Sequence, residues 1–282
     1  MSDNGGQELR ALAEQLAAEA AAFVRRRRAE VFDDEHGSIG TDAVQTKSTP
    51  TDPVTVVDTE TELLLRDRLG ALRPGDVILG EEGGGPAAAP DGAVCWVLDP
   101  IDGTVNFMYG IPAYGISIAA QIDGVSVAGA VADVAGGEVY SAAVGHGAHV
   151  SRGGQRRELR ASAVTELSMA LVGTGFGYAP QRRAEQSALL AQLLPRVRDV
   201  RRIGSASLDL CMVAAGRLDA HYEHGLHVWD WAAGALIAAE GGAVVALPRL
   251  DEDGALLVAA APGIAAALTD TLAGFGGLRP LA

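Results

Sequence analysis

Two aspartates, Asp99 and Asp102, stand where the apolar run Val94 to Leu98 gives way to Pro100 and Gly103. Carboxylates are hard oxygen donors, and two of them aimed at one point make the start of a cation site. If Ile101 to Val105 forms a helical turn, the i, i+3 spacing brings both carboxylates to one side, with the Ile101 carbonyl between them as a third oxygen. Gly103 leaves room for a ligand, and the amides of Gly103 and Thr104 at the start of that turn point toward an anion. Such a corner can hold a metal and a phosphate together. By itself, an Asp-x-x-Asp-Gly after a strand reads first as an ordinary turn.

Three further acidic groups sit at the ends of expected elements: Asp58, the pair Glu81 and Glu82, and Glu223 with Asp230. Each alone reads first as a helix cap or a solvated turn acid. Taken together, Gly80-Glu-Glu82, Asp99-Pro-Ile-Asp-Gly-Thr104 and Glu223-His-Gly-Leu-His-Val-Trp-Asp230 resemble, in order and spacing, the motifs of the inositol monophosphatase family of Mg2+-dependent, lithium-sensitive phosphatases. The resemblance runs over nearly the whole chain, in the pattern of the family's actinobacterial members.

That resemblance implies a ligand set. Glu81, Asp99 and the Ile101 carbonyl would hold one Mg2+; Asp99, Asp102 and Asp230 would hold a second; a third, looser ion would sit near Glu81, and Glu82 would assist through water. Oxygen ligands without a His/Cys set favour Mg2+ over Zn2+ on physical grounds as well. The resemblance further implies that Thr104, paired with Asp58, orients or deprotonates an attacking water, and that Lys47 is a lid lysine. Arg202, Ser205 and Ala206 would face the substrate ring beside Gly103, and Glu223 would accept hydrogen bonds from inositol hydroxyls. Ser205 reads equally as a helix N-cap. His221, His224 and His227 invite a metal reading, but they lack the His-Glu-x-x-His pattern and a cysteine partner.

The chemistry implied is hydrolysis of inositol monophosphate to inositol and phosphate by a water activated at two to three Mg2+ ions, in a homodimer. Same-chemistry alternatives are fructose-1,6-bisphosphate, a phosphoadenosine nucleotide or histidinol phosphate. A regulatory binding protein on the same fold is the alternative from another class.

Composition narrows the field. A chain of 282 residues with 48% apolar content can bury a large core, and its net charge of −14 opposes nucleic-acid binding. The same charge repels a phosphorylated substrate unless cations are held locally, which clustered carboxylates would provide. Two cysteines, Cys95 and Cys211, make no disulfide framework. No apolar span is long enough for a membrane helix, and Met1 to Gly6 lacks a signal peptide's basic and apolar regions, so a cytoplasmic location is expected. Lys47 is the only lysine, and the run Arg25 to Arg28 reads as a solvated helix face.

The elements that must position these groups follow from periodicity. Helices are expected over Gln7–Phe32 and Thr55–Leu72, with a long loop carrying Lys47 over Asp33–Pro53. Strands are expected over Val77–Glu82 and Val94–Leu98, then an antiparallel meander over Ala113–Ile122, Val125–Val134, Glu138–Val144 and Ala148–Ser151. The second half alternates: strands at Leu171–Thr174, Val200–Ile203, Leu218–Glu223, Ala243–Leu247 and Leu256–Ala260, and helices at Gln181–Leu194, Ser205–Ala215, Val228–Glu240 and from Pro262 or Ile264. A division near residues 155 to 165 separates an N-terminal α+β domain (1–160) with the metal-site acids from a C-terminal α/β domain (161–282) with the substrate-facing residues. Periodicity supports mixed α and β; the resemblance implies a layered αβαβα sandwich.

Overall fold

Amphipathic periods of the two expected kinds, helical and strand-like, sort the chain into five stacked layers. A computed structural model of the chain describes residues 3–32, 44–46, 53–86, 89–249 and 252–281. In chain order the elements are α1 (Asp3–Val31), β1 (Val44–Thr46), β2 (Pro53–Thr55), α2 (Val56–Leu72), β3 (Val77–Gly80), β4 (Val94–Asp102), α3 (Thr104–Tyr109), β5 (Gly115–Ile122), β6 (Val125–Asp133), β7 (Glu138–Ala143), β8 (Ala148–Arg152), β9 (Gln155–Glu158), β10 (Leu171–Thr174), α4 (Pro180–Leu193), β11 (Asp199–Arg201), α5 (Ala206–Ala214), β12 (Ala220–His224), α6 (Val228–Glu240), β13 (Val244–Ala246), β14 (Leu256–Ala260) and α7 (Ala265–Gly274).

Strands β3 to β9 form a seven-stranded sheet in sequence order, antiparallel except for the β3–β4 pair. The second sheet has the order β11-β10-β12-β14-β13, with β10 parallel to both neighbours and β14 antiparallel to its own. Alternation along β4 shows how the layers arise. Trp96 and Leu98 point to one face, against Leu16 and Val24 of α1 and Leu65 and Leu69 of α2. Cys95 and Val97 point to the other, where they meet α5 and α6. The second sheet closes those helices from beyond with Leu257 and Ala259, and buries its own far face against Leu193 of α4 and Leu268 and Leu272 of α7. The result is an αβαβα sandwich. Its middle layer is α5 with α6, and α6 is rich in Ala and buried along most of its length, as a helix between two sheets must be.

Several expectations are corrected in detail. The first sheet gains β9, whose four residues are all exposed. Within the expected 33–53 loop, Val44–Thr46 is a strand paired antiparallel with β2; the rest of that loop, with Lys47, lies outside the described residues. The arginines of α1 are not merely solvated. Arg25 donates to the Val134 carbonyl at 3.0 Å, Arg27 pairs with Glu60 at 2.7 Å, and Arg28 donates to the Phe107 carbonyl at 3.2 Å while lying over the Phe32 and Phe107 rings. Both cysteines are buried and free. Among the described residues, no helix is long and apolar enough to cross a membrane.

Candidate active site

The strand β4 does not end at Leu98. It runs on to Asp102, and its register against β5 shifts: Asp99 faces Ser117 while Asp102 faces Gly115. Three steps on one strand oppose two on the other, which is a β-bulge, and Pro100, with no amide proton to offer the ladder, sits inside it. In a regular strand, residues three apart face opposite sides of the sheet. The extra residue cancels that inversion, so a bulge, rather than the expected helical turn, aims Asp99 and Asp102 the same way. The helix begins only at Thr104, after Gly103 has turned the chain with a φ of 92°. A side chain at Gly103 would also meet the Gly204 carbonyl at 2.9 Å.

Asp102 is held from across the molecule. Its Oδ2 accepts hydrogen bonds from Ser205 Oγ at 2.6 Å, Ser207 N at 2.7 Å and Ser207 Oγ at 2.5 Å. Ser205 is also the N-cap of α5, its Oγ accepting from Leu208 N at 3.4 Å. The carboxylate thus sits on the positive end of a helix from the second half of the chain. Asn106 ties the same loop down, donating to the carbonyls of Ala113 at 2.7 Å and Ile203 at 2.9 Å. Asp230 lies in the first turn of α6 and accepts from His227 N at 2.7 Å. Glu81 and Glu82 occupy the turn after β3, where the buried Glu62 carboxylate accepts from the amides of Glu82 and Gly83, each at 2.8 Å.

Asp58 completes a capping box on α2 with Thr55 and is fully buried. Its other oxygen, Oδ1, lies 3.1 Å from Thr104 Oγ1, which is also 3.0 Å from the Ile101 carbonyl. One hydroxyl proton cannot serve both acceptors fully; an ionised Asp58 is the stronger claimant.

Glu81, Asp99, Ile101, Asp102, Gly103, Thr104, Arg202, Ser205, Ala206, Glu223 and Asp230 all line one cavity of about 590 Å³. Of the other expected site residues, Asp58 stands behind Thr104, Glu82 is beside Glu81, and Lys47 lies outside the described residues. His224 and His227 also border this cavity, but the three histidines do not cluster. His224 bonds the Gly277 carbonyl at 2.8 Å in the core, His227 stacks on Trp229 at the start of α6, and His221 is buried between two carboxylates.

Charge dominates the cavity's acidic wall. Burial, and then the neighbouring Glu81, Asp102 and Asp230, push the Asp99 carboxyl well above its ordinary range, and burial with Glu81 and Asp102 does the same to Asp230. Burial raises Asp102 against the pull of its serine bonds, and raises Asp58 to about 7. Asp99 Oδ1 is buried with no hydrogen-bond partner. Among the described residues, no group of three or more acidic, cysteine or histidine side chains is placed so as to hold a metal ion. The donor set is nonetheless all hard oxygen, mutually repelling, with one buried oxygen unsatisfied. By chemistry it fits a hard divalent cation.

Sequence reasoning did not anticipate Ser207, whose clamp on Asp102 depends on the bulge; the signal available was a second serine in the first turn of α5. Nor did it find Gly173 and Gly175, alternate glycines at the end of a strand, which leave space beside Asp209 and His221 and beside Glu223 respectively.

A model described as the inositol monophosphatase family matches residues 6–274. The inositol-1-monophosphatase of Mycobacterium leprae is 67% identical over 99% of this chain and 98% of its own length. The solved structure of Mycobacterium tuberculosis SuhB superposes with a TM-score of 0.82 at 60% identity, over 97% of this chain and 98% of that one. A more distant relative, named Nus factor SuhB in Vibrio cholerae, is 37% identical over 69% of this chain and 71% of its own length.

Proposed function

The chain belongs to the inositol monophosphatase family, and from that premise we propose that it is a Mg2+-dependent phosphatase that hydrolyses inositol monophosphate to inositol and phosphate. The observation that carries this reading is the bulge that turns Asp99 and Asp102 into the cavity that Thr104 and Glu223 also line.

Two to three Mg2+ ions, held by Glu81, Asp99, the Ile101 carbonyl, Asp102 and Asp230, would supply Lewis-acid charge for the phosphoryl oxygens, the entering water and the leaving alkoxide. The chain's own residues do the rest. Thr104 donates its proton to Asp58, which leaves an Oγ lone pair to orient a water and pass its proton toward the buried carboxylate. Ser205 and Ser207 keep Asp102 from swinging as charge develops beside it. The Gly103 and Thr104 amides face the phosphate, and Arg202, Ser205 and Ala206 border the polyol ring. Glu223 accepts its hydroxyls. Glu82 assists through water, and Lys47 takes the lid-lysine role that the family resemblance implies. The active species is a cytoplasmic homodimer, with residues 1–160 bearing the metal-site acids other than Asp230 and 161–282 bearing Asp230 and the residues that face the polyol ring.

Phosphate release after chelation and Mg2+ restoration tests the reading on inositol-1-phosphate, fructose-1,6-bisphosphate, a phosphoadenosine nucleotide and histidinol phosphate. Inositol-1-phosphate is expected to give the highest kcat/KM, with no turnover before Mg2+ returns. LiCl is expected to lower the steady-state rate where matched NaCl does not. The Vibrio relative is named a Nus factor, not a phosphatase; here the complete acid set favours hydrolysis, and inactivity on every ester tried would transfer the weight to binding.

Glu223 separates inositol selectivity from generic phosphatase chemistry. Glu223→Ala is expected to lower kcat/KM for inositol-1-phosphate about tenfold or more relative to an aryl phosphate, through loss of one or two hydrogen bonds to a charged acceptor. Gly175→Ala is expected to do the same by a different route, because its methyl would collide with Glu223 Oε1 and force the carboxylate aside. Equal proportional losses on both esters in the two variants would assign Glu223 to the metal site or the fold instead.

A further inference from the structure

Behind Glu223 lies a row of buried ionisable groups that the hydrolytic scheme leaves unused. On β12, Ala220 and Tyr222 face the outer α4 and α7 layer, so His221 and Glu223 face inward toward α5. His221 is fully buried. Its Nδ1 lies 3.7 Å from Asp209 Oδ2 on α5, itself buried, and its Nε2 lies 3.4 Å from Glu223 Oε2. Neither ring nitrogen has a hydrogen bond of good geometry, and neither does Asp209 Oδ1.

A neutral imidazole has one N–H and one lone pair, so between two carboxylates its lone pair would be forced against an anionic oxygen. An imidazolium has an N–H for each side. The neighbouring strand leaves room for this row. Gly173 on β10 stands in register with His221, and a methyl there would lie 3.0 Å from Asp209 Oδ1 and 3.1 Å from His221 Nδ1. Two residues on, a methyl at Gly175 would strike the Glu223 carboxylate. Thus neither β10, at Gly173, nor the residue just past its end, Gly175, places a side chain beside the row.

We propose that His221 is a positioning residue: an imidazolium clamped between Asp209 and Glu223 that keeps the Glu223 carboxylate aimed into the cavity and thereby sets selectivity for polyol over simple phosphate esters. This rests on the inositol phosphatase reading for its substrate class. The groups facing His221 are Asp209 from α5, Glu223 from its own strand and Asp102 from β4, with Arg202 acting on Asp209. Burial opposes charge on the ring, but Asp209 and Glu223 outweigh it and raise its pKa; burial in turn raises Asp209 to about 7. A neighbouring Glu223 held by a fixed cation loses less freedom on binding a polyol than one that must be ordered by the substrate.

The test uses the full chain with Mg2+ bound. Nitrogen-15 imidazole NMR is expected to show both His221 ring nitrogens protonated at pH 7.5, the resonance being assigned by its loss in His221→Gln. In His221→Gln and Asp209→Asn, the ratio of kcat/KM for inositol-1-phosphate to kcat/KM for an aryl phosphate is expected to fall about tenfold. That fall should lie mainly in KM for the inositol ester. A neutral His221 ring at pH 7.5 overturns the clamp. So does a ratio unchanged in both variants, or an equal loss on both esters, which is the mark of a structural role. Should His221→Gln not fold, the kcat/KM ratio of Asp209→Asn still decides: a tenfold fall supports the clamp, and an unchanged ratio or an equal loss on both esters overturns it. A wild-type enzyme with no preference for inositol-1-phosphate would defeat the substrate reading, and the selectivity proposed for His221 with it, while a doubly protonated ring would show the ion clamp itself to be real.

Discussion

Asp99→Asn is expected to cut kcat by about a thousandfold or more and, at the same time, to make the metal-free protein more stable. Asp99 is 1% exposed, one of its oxygens has no partner, and burial together with Glu81, Asp102 and Asp230 disfavours its charge. The amide is close to isosteric and removes the charge that the fold must otherwise bury. In EDTA the variant should therefore melt above wild type, by about 2–4 °C for each kcal/mol relieved in a chain of this size. Mg2+ should raise the melting temperature of wild type and leave the variant nearly unmoved, because only the former gains from ligand binding. The pH dependence has a definite sign. Asp58 and Asp209 have ordinary values of 3.8 that burial raises to about 7. Between those limits the folded state binds more protons than the unfolded one, so stability in EDTA should be greatest near pH 4 and decline as pH rises toward and through 7. Wild-type turnover in Asp99→Asn, or a lower melting temperature in EDTA, would remove Asp99 from the centre of the site.

Thr104→Val should cost about a hundredfold to ten-thousandfold in kcat, the range expected when a group that positions or moves a proton is lost. Valine keeps the shape and deletes the one atom that touches both Asp58 Oδ1 and the Ile101 carbonyl. Stability should fall by only about 0.5–1.5 kcal/mol, the net worth of an ordinary buried hydrogen bond. Thr104→Ser restores the hydroxyl and should recover activity to within about tenfold of wild type. If the valine and serine variants turn over alike, the hydroxyl has no part in proton handling and the Asp58 pair is a structural cap.

Much of this architecture was legible in the sequence because its signals are local. Val228–Glu240, Leu171–Thr174 and Leu256–Ala260 carry their period and breakers within their own length, and each is found at the expected bounds. The misreadings share a cause: a partner far away decided the outcome. Pro100 signals a strand's end, yet β4 continues because β5 accommodates a bulge. Gln155-Arg-Arg-Glu158 has no apolar alternation and becomes a strand only as the solvated edge of a sheet already built. The run Arg25 to Arg28 looks like a solvated face until Val134, Glu60 and Phe107 supply its partners. The residues that meet at the cavity were readable from motif order. The ties that hold them, Asp102 to Ser207 and His221 to Asp209, were not, because they join segments remote in the chain or set by strand face and helix phase together.

The helices between the two sheets also impose an order on biosynthesis. When β9 leaves the ribosome the first sheet can already pair, but the face bearing Val97, Ala119, Val131 and Tyr140 has no cover until α5 and α6 emerge. That is roughly 80 residues later, or about 4–16 s at translation rates of about 5–20 residues per second. A broad apolar sheet surface naked for seconds is a target for chaperones and for self-association. The Asp102 clamp, spanning 103 residues to Ser205, closes within the same interval. The catalytic corner and the protection of the nascent sheet therefore arrive together, so a ribosome stalled before α5 releases a chain that is both inactive and sticky.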